Sequence, residues 1–177
     1  TWPLAENHHH HGILSHSIVP APNSTDLQPV AEDYITRLLN HLNYVGVLTL
    51  ELFVTDKGLY ANEMAPRVHN SGHWSIEGAV CSQFENHIRA VAGLPLGSTA
   101  IVRPTVMVNI IGQHPKSEDV LVLEGAHLHL YNKSEREGRK IGHITLMPND
   151  TAQLTTLCRQ LAKILPNPLA LSEDMNI

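Results

Sequence analysis

The sequence predicts an α+β fold, in which an antiparallel sheet is backed by amphipathic helices. Two pairs of strand-like segments are each joined by a turn or a charged connection, and several segments carry apolar residues at helical spacing. An apolar content of 42% beside 16% charged residues is typical of a globular chain with a buried core. These observations define the elements described next.

The first predicted elements are a strand and a long helix. Residues 13–20 (ILSHSIVP) favour a strand that ends at the proline. Asn23 to Asp26 supply turn and N-cap residues. From Leu27 the apolar residues recur at steps of three and four, which predicts a helix that ends near Asn43.

A hairpin and a second helix follow. Residues 45–55 (VGVLTLELFVT) and 59–65 (LYANEMA) are strand-like and flank a DKG turn. Ser82 with Glu85 three residues later forms a capping-box pattern. We therefore expect a helix after Ser82 that ends near Gly93.

The remaining elements are a buried strand, a second hairpin and a terminal helix. Residues 105–111 (TVMVNII) are mostly apolar and end at a glycine. Residues 126–131 and 140–146 are strand-like and flank a charged connection. Asp150 is a candidate N-cap for a helix with an apolar stripe, which Pro166 would stop.

Composition indicates two units and narrows the function classes. The stretch at 96–103, which contains Gly97 and Ser98 and is flanked by Pro95 and Pro104, predicts a boundary between units 1–98 and 99–177. The net charge of −5 argues against a duplex nucleic-acid binder, and no apolar run is long enough to span a membrane. Cys81 and Cys158 lack metal or disulfide spacing, so we expect buried thiols in a cytoplasmic protein.

The first candidate site is a pair of carboxylates on the first hairpin. Side chains alternate along a strand, so Glu51 and Glu63 can project to one face from neighbouring strands. Two facing carboxylates repel unless a cation lies between them, and Mg²⁺ prefers oxygen ligands. The alternative is a solvated strand face, for which paired glutamates are common.

Polar residues that follow the carboxylates extend this site. Asn62 offers an amide beside Glu63, and Arg67 offers a planar guanidinium suited to phosphate or carboxylate oxygens. The loop that begins with His69 and Asn70 is dense in polar groups and contains a glycine. Such a loop between a strand and a helix is where functional groups concentrate.

Four strings of sequence resemble one enzyme family. NEMAPRVHNSGHW, beginning at Asn62, resembles the ATP-grasp superfamily and, within it, the N5-carboxyaminoimidazole ribonucleotide synthase family. PLAENHHHHGIL, SQFENHIRAVAGLPLG and YNKSEREGRKIGHI are similar to further segments of that family. The resemblance implies that residues 1–98 form the C-terminal part of an ATP-grasp domain and residues 99–177 a small β-rich domain with a terminal helix.

The resemblance also implies roles for individual residues. His9, Asn62 and Glu63 match nucleotide-binding positions, and Glu51 with Glu63 match the magnesium ligands. The remaining matches are Arg67, His69 and Asn70 at the bicarbonate and carboxyphosphate position, Lys133 and Arg139 at the acceptor's 5′-phosphate, and Arg136 and Lys140 as weaker phosphate candidates. From charge alone, these last four residues equally describe a solvated hairpin tip.

The run His8 to His11 has two interpretations. Four consecutive histidines can bind Ni²⁺ or Zn²⁺ adventitiously, in the manner of a purification tag. The flanking family pattern favours a natural loop in which only His9 functions, and we expect His8, His10 and His11 to face solvent. His127, His129 and His143 are expected to be structural.

The implied reaction is ATP-dependent carboxylation of 5-aminoimidazole ribonucleotide with bicarbonate, in purine biosynthesis. ATP and Mg²⁺ are the expected cofactors, aminoimidazole ribonucleotide and bicarbonate the substrates, and a homodimer the expected state of a full-length member. The chain contains no Gly-rich phosphate loop, so we expect it to be inactive alone. The alternatives are another carboxylating or formylating ATP-grasp ligase, and a non-catalytic binding or assembly module.

Overall fold

The structure, a computed structural model, describes residues 1–168, so residues 169–177 of the predicted second unit lie outside the described part. Both predicted hairpins and all three long helices are confirmed. The elements are β1 (Glu6–His10), β2 (Ile13–Val19), α1 (Gln28–Leu42), β3 (Thr49–Thr55), β4 (Gly58–Ala65), a 3₁₀ turn (Asn70–Gly72), α2 (Ser75–Gly78), α3 (Gln83–Val91), β5 (Thr105–Ile111), α4 (Ser117–Leu121), β6 (Ala126–Leu130), β7 (Lys140–Leu146) and α5 (Thr151–Ile164).

The described strands form two antiparallel sheets. The larger sheet has the order β1-β2-β5-β7-β6, and β3 pairs with β4 in a separate hairpin. One sheet thus combines strands from before and after residue 98. The segments on either side of the predicted boundary are therefore hydrogen-bonded to each other through β2 and β5.

The two faces of the five-stranded sheet differ in chemistry because side chains alternate along its strands. One face is apolar and packs against α4 and α5 through Val106, Val108, Ile110, Ile144, Leu146, Leu157 and Leu161. The opposite face carries buried polar groups, among them Asn109, His143 and Thr145. The segment 69–80 covers this polar face, with Trp74 and Ala79 packed on Met107.

The helix termini confirm two predicted caps and correct a third. The side chains of Ser82 and Asp150 accept hydrogen bonds from the N–H groups of Glu85 and Gln153. The prediction that residues 23–26 supply a side-chain cap for α1 is wrong. The N-cap is Leu27, which has no side-chain cap, because the Ser24 hydroxyl donates to Ala21 while its carbonyl accepts from the helix N–H groups.

The histidine run corrects a second expectation. His8 to His10 lie on β1, an edge strand, rather than in a loop, because β1 pairs with β2 directly across a turn. His8 lies opposite His16, and their rings stack at 4.4 Å between centroids. The prediction that His8 faces solvent is therefore wrong, since its side chain is only 20% exposed and contacts Glu6. His11 is exposed, as expected, and His10 is half-buried.

Two other expectations concern the cysteine thiols and membrane-spanning helices. Cys81 and Cys158 are both buried and unpaired, and burial raises the pKa of the Cys158 thiol to about 12, so it stays protonated. Within residues 1–168, no helix combines the length and the apolarity that a bilayer crossing requires.

Candidate active site

Glu51 and Glu63 face each other on the β3–β4 hairpin, as the alternation predicted. They are direct partners in the register of the two strands, and a bulge follows immediately. The ring of His69 lies between them, with Nδ1 3.7 Å from Glu51 Oε1 and Nε2 3.8 Å from Glu63 Oε1. Glu51 is 13% exposed and Glu63 is 58% exposed, so the pair opens to solvent on one side.

These three side chains form the one group among the described residues with ligand atoms close enough to hold a metal ion. One donor atom from each lies within 4.8 Å of the other two. Mg²⁺ prefers oxygen ligands, so Glu51 and Glu63 are the members of this group that would hold it. The carboxylates fit Mg²⁺, whereas an imidazole nitrogen is less typical of its ligands.

The His69 loop is held by one buried amide. Gln83, at the start of α3, accepts from the His69 N–H at 2.9 Å and donates to the His69 carbonyl at 2.7 Å. Its Nε2 also lies 2.9 Å from Nδ1 of His73. A Cβ added at Gly72 would come within 2.6 Å of Gln83 Oε1, so the glycine permits this close approach. Gln83 lies in the string SQFENHIRAVAGLPLG, but neither its residue type nor its spacing indicated this role, so it was not predicted as a site residue.

Asn70 forms a reciprocal amide pair with a second missed residue, Asn109 on β5. Each Nδ2 donates to the other's Oδ1, at 2.8 Å and 2.7 Å. Asn109 is buried and also donates to the Leu14 carbonyl. The predicted site residue Asn70 is therefore anchored to the centre of the five-stranded sheet.

The other predicted residues of the first unit are exposed. Asn62 is the bulged residue of β4, without a direct partner on β3, and lies beside Glu63. The Arg67 guanidinium donates to the Val68 carbonyl at 3.0 Å, and its charge contributes to lowering the pKa of His69, for which burial is the main cause. His9 lies on β1 of the large sheet, away in sequence and in sheet from Asn62 and Glu63.

The predicted phosphate-binding residues fall in two environments. Lys133 lies over the Tyr131 ring, 5.3 Å from its centroid, and Arg139 donates to Ser134 Oγ at 3.0 Å. Arg136 is exposed in the same connection. Lys140, at the start of β7, is half-buried. Burial lowers its pKa, and the charges of Glu51 and Glu63 oppose that shift, which relates Lys140 to the carboxylate pair.

A cluster of aromatic rings lies between the His69 loop and the β6–β7 hairpin. His129 and His143 are direct partners in the sheet and stack at 4.3 Å, and the His73 ring lies 5.2 Å from His143. Tyr131 Oη lies 2.7 Å from His143 Nδ1, and His129 Nε2 lies 2.6 Å from Glu77 Oε1. Burial is the main cause that lowers the pKa of His73 to about 4 and of His143 to about 3.

Comparison with known proteins adds to this geometry. The model of the ATP-grasp domain matches residues 1–84, and that of the phosphoribosylaminoimidazole carboxylase C-terminal domain matches residues 105–156. The chain is 56% identical over 153 residues to N5-carboxyaminoimidazole ribonucleotide synthase of Pseudomonas aeruginosa, covering 86% of this chain and 42% of that protein.

Two solved structures extend the similarity to the fold. The synthetase from Thermus thermophilus superposes with a TM-score of 0.91 at 54% identity, covering 93% of this chain and 46% of that one. A synthase from Aspergillus clavatus, in complex with ADP and 5-aminoimidazole ribonucleotide, gives a TM-score of 0.84 at 31% identity, covering 92% and 47%. The chain therefore spans less than half the length of these relatives.

Proposed function

Because the chain belongs to the N5-carboxyaminoimidazole ribonucleotide synthase family of ATP-grasp ligases, we propose that it supplies the metal-binding and acceptor-binding groups for carboxylation of 5-aminoimidazole ribonucleotide. The observation that carries the proposal is the convergence of Glu51, Glu63 and His69 within 4.8 Å. In a non-catalytic module, these side chains would have no need to converge. The names of the relatives favour this reaction over that of a formylating ligase.

The proposed reaction has two stages. Bicarbonate attacks the γ-phosphorus of ATP, which gives carboxyphosphate and ADP. Carboxyphosphate then breaks down to CO₂ and phosphate. The amino nitrogen of the ribonucleotide forms a bond to the carbon of CO₂ and loses a proton, which gives the carbamate. Phosphoryl transfer depends mostly on positioning and charge neutralisation, so the roles of the residues are electrostatic.

We assign the first-unit residues to the nucleotide and the bicarbonate. Glu51 and Glu63 would hold Mg²⁺, which when bound neutralises phosphate oxygens of ATP. Arg67, which is exposed beside the pair, would stabilise charge on the transferring group. His69 and Asn70 would position bicarbonate. Hydrogen bonds from Gln83 and Asn109 hold the loop that carries these two residues in place. His9 and Asn62 remain proposed nucleotide contacts.

The second-unit residues are proposed to bind the acceptor. Lys133 and Arg139 would hold its 5′-phosphate, with Arg136 at the periphery. Lys140 is also a proposed phosphate ligand, although the charges of Glu51 and Glu63 act on it. The division into units 1–98 and 99–177, a cytoplasmic location and a homodimer of the full-length protein stay proposals.

Isothermal titration of the chain with aminoimidazole ribonucleotide and with Mg–ATP tests the proposal. We expect saturable ribonucleotide binding that Arg139→Ala weakens about tenfold or more, as expected for loss of a charged phosphate ligand. Arg159→Ala, at an exposed position of α5, is the matched control and should bind as the wild type does. Equal binding by both variants would contradict the assignment of Arg139. Turnover by the chain alone would contradict the separate expectation that the chain is inactive alone.

A further inference from the structure

The contacts of Lys133 point to a residue outside the predicted site. Lys133 is exposed, yet its ammonium lies 5.3 Å from the centroid of the Tyr131 ring. Asn132 between them has a positive φ of 52°, a conformation that asparagine adopts more readily than most residues. An ammonium over an aromatic face is attracted by the negative face of the ring. The backbone and the ring thus restrict a side chain that is otherwise flexible.

Tyr131 is itself firmly held. Its N–H donates to the Ile141 carbonyl at 2.9 Å, which extends the β6–β7 pairing by one residue. Its hydroxyl lies 2.7 Å from Nδ1 of His143, which is 1% exposed in the sheet. Because burial raises the pKa of Tyr131, the phenol keeps its proton for this hydrogen bond.

The support continues into the first unit. His143 stacks on His129, with 8° between the ring planes, and His129 contacts Glu77 of α2 at 2.6 Å. Glu77 lies on the helix that follows the His69 loop, and His73 of that loop meets the Tyr131 ring edge-on at 6.2 Å. Arg139, by contrast, is held locally, by Ser134 within the same connection.

We propose that Tyr131 is a positioning residue for binding of the acceptor's phosphate. Tyr131 fixes the position of Lys133 relative to the loop of His69 and Asn70. The ring supports the ammonium, and the contacts through His143, His129 and Glu77 tie that support to the segment bearing the bicarbonate residues. The inference rests on the proposed function, since it needs a phosphate that Lys133 binds.

The test compares aminoimidazole ribonucleotide with its riboside, which lacks the phosphate, by isothermal titration. Tyr131→Leu removes the ring and should weaken ribonucleotide binding roughly three- to fivefold while leaving riboside binding unchanged. Tyr131→Phe keeps the ring and the shape but loses the bond to His143, so it should weaken ribonucleotide binding in the same direction. Tyr34→Phe, on α1, is the control and should change neither.

A second background separates positioning from general structure. In Lys133→Ala, the further change Tyr131→Leu should have no additional effect on ribonucleotide binding. Equal losses for ribonucleotide and riboside, or additive losses in the double variant, would overturn the inference. A wild-type chain that does not prefer ribonucleotide over riboside would overturn both this inference and the proposed phosphate clamp. A wild-type preference that both Tyr131 variants retain would overturn only the inference.

Discussion

Acidification should destabilise the chain through two buried histidines. The pKa values of His73 and His143 fall from 6.5 to about 4 and about 3 in the folded protein, chiefly because burial disfavours the charged ring. The unfolded chain therefore binds more protons below pH 6.5, and stability falls as pH falls. At pH 5 the ratio of protonated to neutral histidine in the unfolded chain is roughly 30 to 1. Each buried ring therefore lowers the free energy of unfolding by about 2 kcal/mol relative to pH 7. The two together remove a large part of a typical domain stability of about 5–15 kcal/mol.

Urea unfolding at pH 7 and at pH 5 measures this cost. The difference between the two free energies of unfolding should shrink by about 2 kcal/mol in His143→Gln, because glutamine does not titrate in this range. His73→Gln should behave similarly. His127→Gln, at an exposed position of β6, is the control and should keep the wild-type difference. A pH dependence that survives unchanged in both buried variants would refute the argument.

Two further predictions concern packing. Gly72→Ala should destabilise the chain by about 1–3 kcal/mol, because the new Cβ meets a Gln83 side chain that three hydrogen bonds hold in place. In a Gln83→Ala background most of that loss of stability should vanish. An undiminished loss would show that the overlap with Gln83 is not its cause. Leu161→Ala, at a fully buried position of α5, should lower the free energy of unfolding by about 2–5 kcal/mol in urea. Leu121→Ala is its exposed control, expected to change stability by less than about 0.5 kcal/mol, and equal effects of the two would contradict the packing assigned to α5.

Regular elements could be predicted because they carry periodic signals. The apolar stripe of α1 and the run TVMVNII of β5 indicate their structures without knowledge of their partners. The edge strand β1 was missed because a histidine run has no apolar alternation. Only its pairing with β2 makes it a strand. The short helices α2 and α4 have too few residues for a period to show.

The part of the candidate site that lies on the β3–β4 hairpin was predictable, because a hairpin determines which residues face each other. Glu51 and Glu63 are direct partners because the turn sets the register between their strands. Gln83 and Asn109 were not predictable, since each contacts the His69 loop from a position distant in sequence. The proposed role of Tyr131 was not predictable because it depends on the contact with His143 on the neighbouring strand. The expectation that His127, His129 and His143 are structural agrees with the burial of His143, whereas the His129 side chain is 30% exposed and His127 is exposed. The contacts of His129 and His143 also reach the proposed phosphate clamp.

The amide pair between Asn70 and Asn109 makes both positions sensitive to the exchange of a single atom. Each side chain donates one hydrogen bond and accepts one from its mirror-like partner. Replacement of either asparagine by aspartate would turn one of these hydrogen bonds into a contact between two acceptors. It would also add a negative charge to a pair in which Asn109 is buried. Deamidation of one asparagine to aspartate would therefore loosen the loop of His69, although the side chain would keep nearly the same size and shape.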